Sequence, residues 1–134
     1  MILVDTNIIL RLILNDSPIL SPKARIIFEK ITKSKAKIFI SLLTISEIIF
    51  TLERSYKIPK AEIVKSLSQI FKLSSLKIEK QTLVEQAFTY YVEQNISFPD
   101  AYHVALMQKK KIKQIYSFDS DFDKFPQIKR VENG

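Results

Sequence analysis

The sequence predicts an α/β fold in which a mostly parallel sheet is covered by helices on both faces. Short apolar runs of strand length alternate with longer segments whose apolar residues recur at helical spacing. The strand-like runs are continuously apolar, which is typical of parallel strands buried on both sides. A chain of 134 residues with 46% hydrophobic residues can bury a real core within a single domain, residues 1–134. We therefore expect a three-layer α/β/α sandwich around a central sheet of about five strands.

Each predicted element has its own signal in the sequence. Strands are assigned to the short apolar runs, and helices to amphipathic segments with a capping residue or a proline near the start. Ser21, for example, is expected to cap a helix whose first position is Pro22. In order, the prediction is a strand at 1–4, helices at 6–15 and 21–35, a strand at 37–41, helices at 44–56 and 59–71, a strand at 75–79, helices at 80–95 and 97–111, and strands at 113–118 and 128–132.

Composition excludes several classes of site. The chain has no cysteine, so disulfides, thiolate zinc sites and cysteine nucleophiles are all absent. Its one glycine, Gly134, excludes the glycine-rich phosphate loops of dinucleotide-binding and P-loop enzymes. No apolar stretch approaches the roughly 20 residues that a bilayer requires, and no signal peptide is visible. We expect a soluble cytoplasmic protein with no membrane partner.

The charge balance favours a polyanionic partner. Lysine and arginine number 21 against 14 acidic residues, a net charge of +7. Basic residues concentrate between Lys23 and Lys37 and again at Lys109, Lys110, Lys111 and Lys113. Both clusters could also be solvated helix ends, where lysine complements the helix dipole, so charge by itself leaves the partner open.

Four acidic residues stand apart because each lies where an apolar run meets a loop or a helix start. They are Asp5, Glu47, Asp100 and Asp119. In an open parallel sheet, ligands bind beyond the carboxyl ends of the strands. Carboxylates gathered there would repel one another and raise their own pKa values unless a cation neutralised them. An all-oxygen ligand set suits Mg²⁺ or Mn²⁺, and such a site in a basic protein fits a phosphodiester hydrolase.

Each of these acids also has a structural interpretation. Thr44 with Glu47, and Ser97 with Asp100, have capping-box spacing. Asp5 and Asp119 could likewise cap the helices that follow them. The one histidine, His103, is expected to be a buried or half-buried helix residue and not a ligand.

The segment "YSFDSDFDKF", residues 116–125, contains three aspartates that we rank differently. Asp119 ends a strand and should point into the crevice, and Asp121 can reach the same metal directly or through water. Asp123 lies past the first turn and should be solvated. A calcium loop is excluded, because Lys124 stands where that loop needs glycine and Arg130 where it needs glutamate.

The motifs "ILVDTNIIL", "SLLTISEIIFTL", "FPDAYHVALM" and "IYSFDSDFDKF" resemble, in order and spacing, the four acidic motifs of PIN-domain nucleases. The resemblance spans essentially the whole chain, and a compact chain of this size is most similar to VapC-type toxins of toxin–antitoxin pairs. It implies a sheet in the order 3-2-1-4-5 and an endoribonuclease dependent on Mg²⁺ or Mn²⁺. It also implies a homodimer that acts on RNA and is neutralised by a small antitoxin protein.

The resemblance also implies roles for individual residues. The catalytic acidic quartet would be Asp5, Glu47, Asp100 and Asp119. Asp5 and Asp100 would be direct metal ligands, while the other acids would bind metal directly or through water, or position the nucleophile. These other acids are Glu47, Asp119 and Asp121, and the supporting polar residues that would orient the carboxylates are Thr6, Asn7 and Ser117.

Alternatives from other classes fit less well. A receiver-like phosphoacceptor domain needs paired acids after its first strand, where Asp5 stands alone, and a haloacid-dehalogenase-type phosphatase needs a second aspartate that "DTN" lacks. A non-catalytic PIN-like module that binds RNA or protein stays open. Apolar residues on the first and third helices fit either core packing or a dimer or antitoxin groove; they include Ile9, Ile13, Ile49 and Phe50.

Overall fold

The computed structural model describes residues 1–133, which form alternating strands and helices. Two compact units divide the chain, one of residues 1–81 and one that continues from Thr82. The strands are β1 (Ile2–Leu3), β2 (Ile38–Ile40), β3 (Leu76–Ile78), β4 (Gln114–Tyr116) and β5 (Lys129–Val131). The helices are α1 (Thr6–Leu14), α2 (Leu20–Lys33), α3 (Leu42–Arg54), α4 (Lys60–Phe71), α5 (Gln81–Glu93) and α6 (Phe98–Lys110), with a 3₁₀ helix at Ser120–Lys124.

The first unit is built on a parallel sheet in the order β1-β2-β3. Ile2 pairs with Ile38, and Ile38 in turn pairs with Leu76, so β2 is the central strand. Its residues Ile38 and Ile40 are buried, as expected for a strand flanked on both edges. The apolar faces of the helices complete this core with fully buried side chains that include Ile9, Ile45, Ile48, Ile49, Leu52, Ile63 and Leu67.

The second unit contains a two-stranded parallel sheet of β4 and β5, in which Ile115 pairs with Arg130. Helices α5 and α6 supply its core, where Tyr91 and Phe98 meet edge to face with ring centroids 6.4 Å apart. Phe122 of the 3₁₀ helix is buried as well. That short helix was not predicted. It has one buried residue, so the sequence shows no repeat of apolar residues at helical spacing there.

The α/β class and the parallel pairing are confirmed, but the strands do not form one five-stranded sheet. Among residues 1–133 the sheets are β1-β2-β3 and β4-β5, and no backbone ladder joins β1 to β4. Strand β1 is only two residues long, because Asp5 already begins the turn into α1. So short a strand offers few backbone groups for a ladder on its second edge.

Helix starts were predicted with mixed success. Ser97 caps α6 as predicted, but Ser21 does not cap α2. The hydroxyl of Ser17 accepts the backbone N–H of Leu20 instead (3.0 Å), and Ser21 is buried inside the helix. Within residues 1–133, every helix is too short or too polar to cross a membrane.

Candidate metal centre

The first unit places Asp5 at the start of α1. Asp5 has an extended backbone and its carboxylate accepts the N–H of Thr6 at 2.8 Å, so the capping interpretation of this residue holds. The carboxylate is nevertheless exposed, which leaves oxygen lone pairs open to other partners. Asn7 follows in the first helical turn and is exposed.

Glu47 of α3 is held by a side chain from α1. The buried hydroxyl of Thr6 donates to Oε2 of Glu47 at 2.8 Å, across 41 positions of sequence. Thr44 therefore does not form a capping box with Glu47. The N–H of Thr44 donates instead to the hydroxyl of Ser41 at 3.1 Å. The Glu47 carboxylate does not cap a helix, and a hydroxyl fixes its orientation. A carboxylate held in this way can bind a ligand or accept a proton.

Glu79, which the sequence reasoning did not select, anchors the helix that carries Glu47. Its Oε1 accepts the backbone N–H of Leu42 at 2.9 Å, at the first residue of α3. Glu79 directly follows β3, and this position at the end of a strand was the only feature of the sequence that could have indicated its role. The bond ties the third strand to the start of α3 and fixes where the helix begins.

The second unit gathers three carboxylates, those of Asp100, Asp119 and Asp121. One oxygen from each lies within 4.8 Å of the others. Asp100 and Asp121 are half-buried and Asp119 is exposed. This acidic trio is the one group of three or more acids or histidines in residues 1–133 whose ligand atoms come together in this way.

Asp100 is placed by the cap of α6. Its backbone N–H donates to the hydroxyl of Ser97 at 3.3 Å, with Pro99 between them in the first turn. Burial raises the pKa of Asp100 above its ordinary value, and the carboxyl of Asp119 raises it further. Ser97 and the neighbouring His103 act against this rise. The net effect is that the folded protein favours the charged form of Asp100 less than water does.

Asp119 and Asp121 are fixed by the backbone turn between β4 and the 3₁₀ helix. The N–H of Asp119 donates to the hydroxyl of Ser117 at 3.0 Å, and the N–H of Asp121 donates to Oδ1 of Asp119 at 2.9 Å. Asp119 thus caps the 3₁₀ helix. The ammonium of Lys124 lies 3.3 Å from Asp121 and also donates to the carbonyl of Gln94, so it gives the trio one partial counter-charge.

Asp123 belongs to a different environment from its two neighbours. Arg130 donates to both of its carboxylate oxygens at 3.1 Å, which lowers the pKa of Asp123 and raises that of Arg130. Arg130 also donates to Glu132 (2.9 Å) and to the carbonyl of Ser117 (3.3 Å). The expectation of a merely solvated Asp123 is corrected: it is exposed but paired, and Arg130 ties β5 to the turn that carries the acidic trio.

The donor set of the trio fits a hard divalent cation. All three ligands are carboxylates, and the positive charge of such an ion would offset the burial and the nearby Asp119 carboxyl that raise the pKa of Asp100. His103 lies one turn beyond Asp100 and is exposed, contrary to the expected burial, and it is not part of the trio. The site is therefore suited to Mg²⁺ or Mn²⁺ more than to Zn²⁺.

Comparisons with known proteins found a family model, a curated relative and a solved structure that match most of this chain. The family model described as PIN domain matches residues 2–128. A curated VapC ribonuclease from Aquifex aeolicus is 25% identical over 97 residues, which are 72% of this chain and 72% of that protein. The crystal structure of Mycobacterium tuberculosis VapC20, described as a sarcin–ricin loop cleaving toxin, covers 92% of this chain and 94% of its own at 24% identity, with a TM-score of 0.46.

Proposed function

The chain belongs to the PIN domain family, and we propose that it is a divalent-metal-dependent endoribonuclease of the VapC type. The observation that carries the proposal is the acidic trio of Asp100, Asp119 and Asp121, whose ligand oxygens lie within 4.8 Å of one another. A metal site of this composition in a chain of net charge +7 suits a phosphodiester substrate.

The residues divide into metal ligands and supporting groups. The trio holds Mg²⁺ or Mn²⁺, and on the family resemblance Asp5 is assigned to metal binding too. When bound, such an ion neutralises phosphate charge and lowers the pKa of a coordinated water. On the family resemblance, Glu47, oriented by the hydroxyl of Thr6, is assigned to positioning the nucleophile. Ser117 orients Asp119 through that residue's backbone N–H.

A small antitoxin is the protein partner we propose for the first unit. A groove of about 390 Å³ runs between α1, α2 and α4. Most of its lining side chains are apolar, and exposed lysines lie elsewhere on α2 and α4, among them Lys23, Lys30 and Lys65. An acidic amphipathic segment complements both features. The lining residues are Leu12, Ile13, Phe28, Ser66, Gln69, Ile70 and Leu73.

A homodimer is the second assembly we propose, with α3 at the contact. Ile9 and Ile49 are core residues, whereas Phe50 is 63% exposed and Leu43, two turns earlier on the same helix, is 70% exposed. Two large apolar side chains at this spacing form a stripe that a second copy would cover. Sedimentation of the purified chain measures the dimer, and Phe50→Glu should yield a monomer.

Cleavage of a labelled RNA with Mn²⁺ or Mg²⁺ tests the proposed activity. The wild type should produce metal-dependent fragments, and Asp5→Asn should reduce cleavage by about 10²-fold or more, as expected for a lost metal ligand. Asp16→Asn is the matched control, because Asp16 is an exposed aspartate of the same unit, paired with Arg11, outside the acidic motifs. It should cleave like the wild type.

The alternative, a binding module without catalysis, predicts a different pattern. The wild type would bind Mn²⁺ and RNA and leave every RNA intact, as Asp5→Asn does. That result would overturn the nuclease proposal.

A further inference from the structure

Two exposed aromatic residues flank the serine that leads into the acidic trio. Tyr116 is 80% exposed and Phe118 is 88% exposed, and Phe118 directly precedes Asp119. Aromatic side chains bury 150–250 Å² each when packed, so leaving two of them in water sacrifices a large apolar surface. Single exposed apolar residues are common, but here both lie within three positions of the same metal-binding aspartate.

The backbone beneath these rings is well fixed. The N–H of Ser117 donates to the carbonyl of Val131 at 3.1 Å, which continues the β4–β5 pairing beyond Tyr116. Arg130 donates to the carbonyl of Ser117, and the hydroxyl of Ser117 accepts the N–H of Asp119. Tyr116 therefore ends β4, and Phe118 lies in a bend whose neighbours Ser117 and Asp119 are both hydrogen-bonded.

Charge along the same strand points to a polyanion. Lys113 directly precedes β4 and Lys129 pairs opposite Gln114 at its start, and both lysines are exposed. Along the chain, residues 113–119 thus run from ammonium groups at the start of β4, through the two rings, to Asp119 of the acidic trio. A second copy of this chain would bring the same lysines and meet repulsion here, so the dimer contact is expected elsewhere.

We propose that Tyr116 and Phe118 form a stacking platform for unpaired nucleobases of the RNA substrate, placing the scissile phosphate at the acidic trio. This inference rests on the proposed ribonuclease function and assigns two residues of this chain, Tyr116 and Phe118, to binding the bases beside the scissile phosphate. Bases stacked within a duplex cannot lie on protein rings, whereas every unpaired base has a free face. Stacking is tolerant of base identity, so the platform selects single strands without reading sequence.

Binding measured without cleavage tests the platform. Wild type, Phe118→Leu and Tyr116→Leu are titrated in EDTA with a fluorescently labelled single-stranded RNA and with a duplex of equal length. Each leucine variant should lose about 10-fold in affinity for the single strand, because stacking contributes about 1–3 kcal/mol per base. Affinity for the duplex should stay within about twofold.

Three further variants separate base stacking from a loss of apolar surface or of folded structure. Phe118→Tyr keeps a ring and should bind like the wild type. Tyr56→Leu removes an exposed aromatic of the first unit and should bind RNA normally. Since the chain has no tryptophan, Phe118→Trp gives a single reporter whose emission a stacked base should quench.

The outcomes distinguish this inference from the function it rests on. If the wild type cleaves RNA but the leucine variants bind single strands normally, the platform is wrong and the nuclease stands. If the wild type binds single strands without cleaving, and the variants lose that binding, the platform stands and the nuclease fails. A change in sedimentation with unchanged RNA affinity would show that the rings bind protein, and would overturn the proposal.

Discussion

The carboxylates of the two units are stabilised in opposite ways. In the first unit Asp5 accepts the N–H of Thr6, and Glu47 accepts the hydroxyl of the same residue, so a neutral donor serves each acid. In the second unit three carboxylates crowd together, and the pKa of Asp100 rises through burial and the proximity of Asp119. The first arrangement is stable as it stands. The second gains most from a bound cation, which supports the proposal that the acidic trio binds the metal.

Substitutions along the 116–125 segment should have the largest effects. Asp119→Asn should lower cleavage by about 10³-fold, because it removes a ligand charge from the trio. Asp121→Asn should cost about 10-fold, since Lys124 already offsets part of its charge. Asp123→Asn should stay within about twofold, because Asp123 pairs with Arg130 outside the trio.

Initial cleavage rates with Mn²⁺ give these three values on one RNA substrate. Melting curves for the three variants check that each is folded. Equal losses in all three would show that the trio is not a distinct ligand set.

Removing the hydroxyl of Thr6 should have an intermediate effect. Thr6→Val keeps the shape of a buried side chain but leaves Glu47 without its donor, so kcat should fall about 10-fold. Mn²⁺ affinity should be unchanged, because the hydroxyl of Thr6 donates to Glu47, which we assign to positioning the nucleophile. Thr6→Ser retains a hydroxyl and should recover most of the rate. If valine and serine give the same rate, the bond to Glu47 does not contribute to catalysis.

The smallest effects should be on stability, and they should have opposite signs at Asp100 and Asp123. The folded pKa of Asp100 lies above its ordinary value of 3.8, so the folded state binds that proton more tightly. Its contribution is therefore favourable at low pH and is lost as pH rises from 3.8 through the raised value. Metal-free Asp100→Asn should be more stable than the wild type at neutral pH, with no such gain in acid.

Asp123 should behave in the reverse manner. Arg130 holds its folded pKa below 3.8, so its contribution is present above 3.8 and disappears as pH falls through the lowered value. Asp123→Asn should therefore be less stable than the wild type at neutral pH and equal to it in strong acid. Urea unfolding of both variants in EDTA across this pH range provides the measurement. If both substitutions changed the free energy of unfolding at neutral pH in the same direction, the contrast between paired and crowded carboxylates would be wrong.

Much of the fold followed from local patterns in the sequence. Apolar runs and helical periodicity predicted every α-helix and strand to within a few residues, since both signals depend on neighbours in the chain. Ser97 was readable as a cap for the same reason. The four motifs also carried the family, because their order and spacing are properties of the sequence itself. A single domain over residues 1–134 stays a prediction.

The partners of the charged groups were decided only by the tertiary structure. Whether Glu47 bonds Thr44 or Thr6, and whether Asp123 meets water or Arg130, depends on contacts between residues brought together by folding. The division of the strands into two sheets was also decided by the tertiary structure. Two strands form a ladder only where their backbone N–H and C=O groups lie opposite each other. The sequence determined which carboxylates could matter. Only the folded structure shows that Asp100, Asp119 and Asp121 lie together. The periodicity of a sequence indicates which residues are buried, but not which residues become their neighbours.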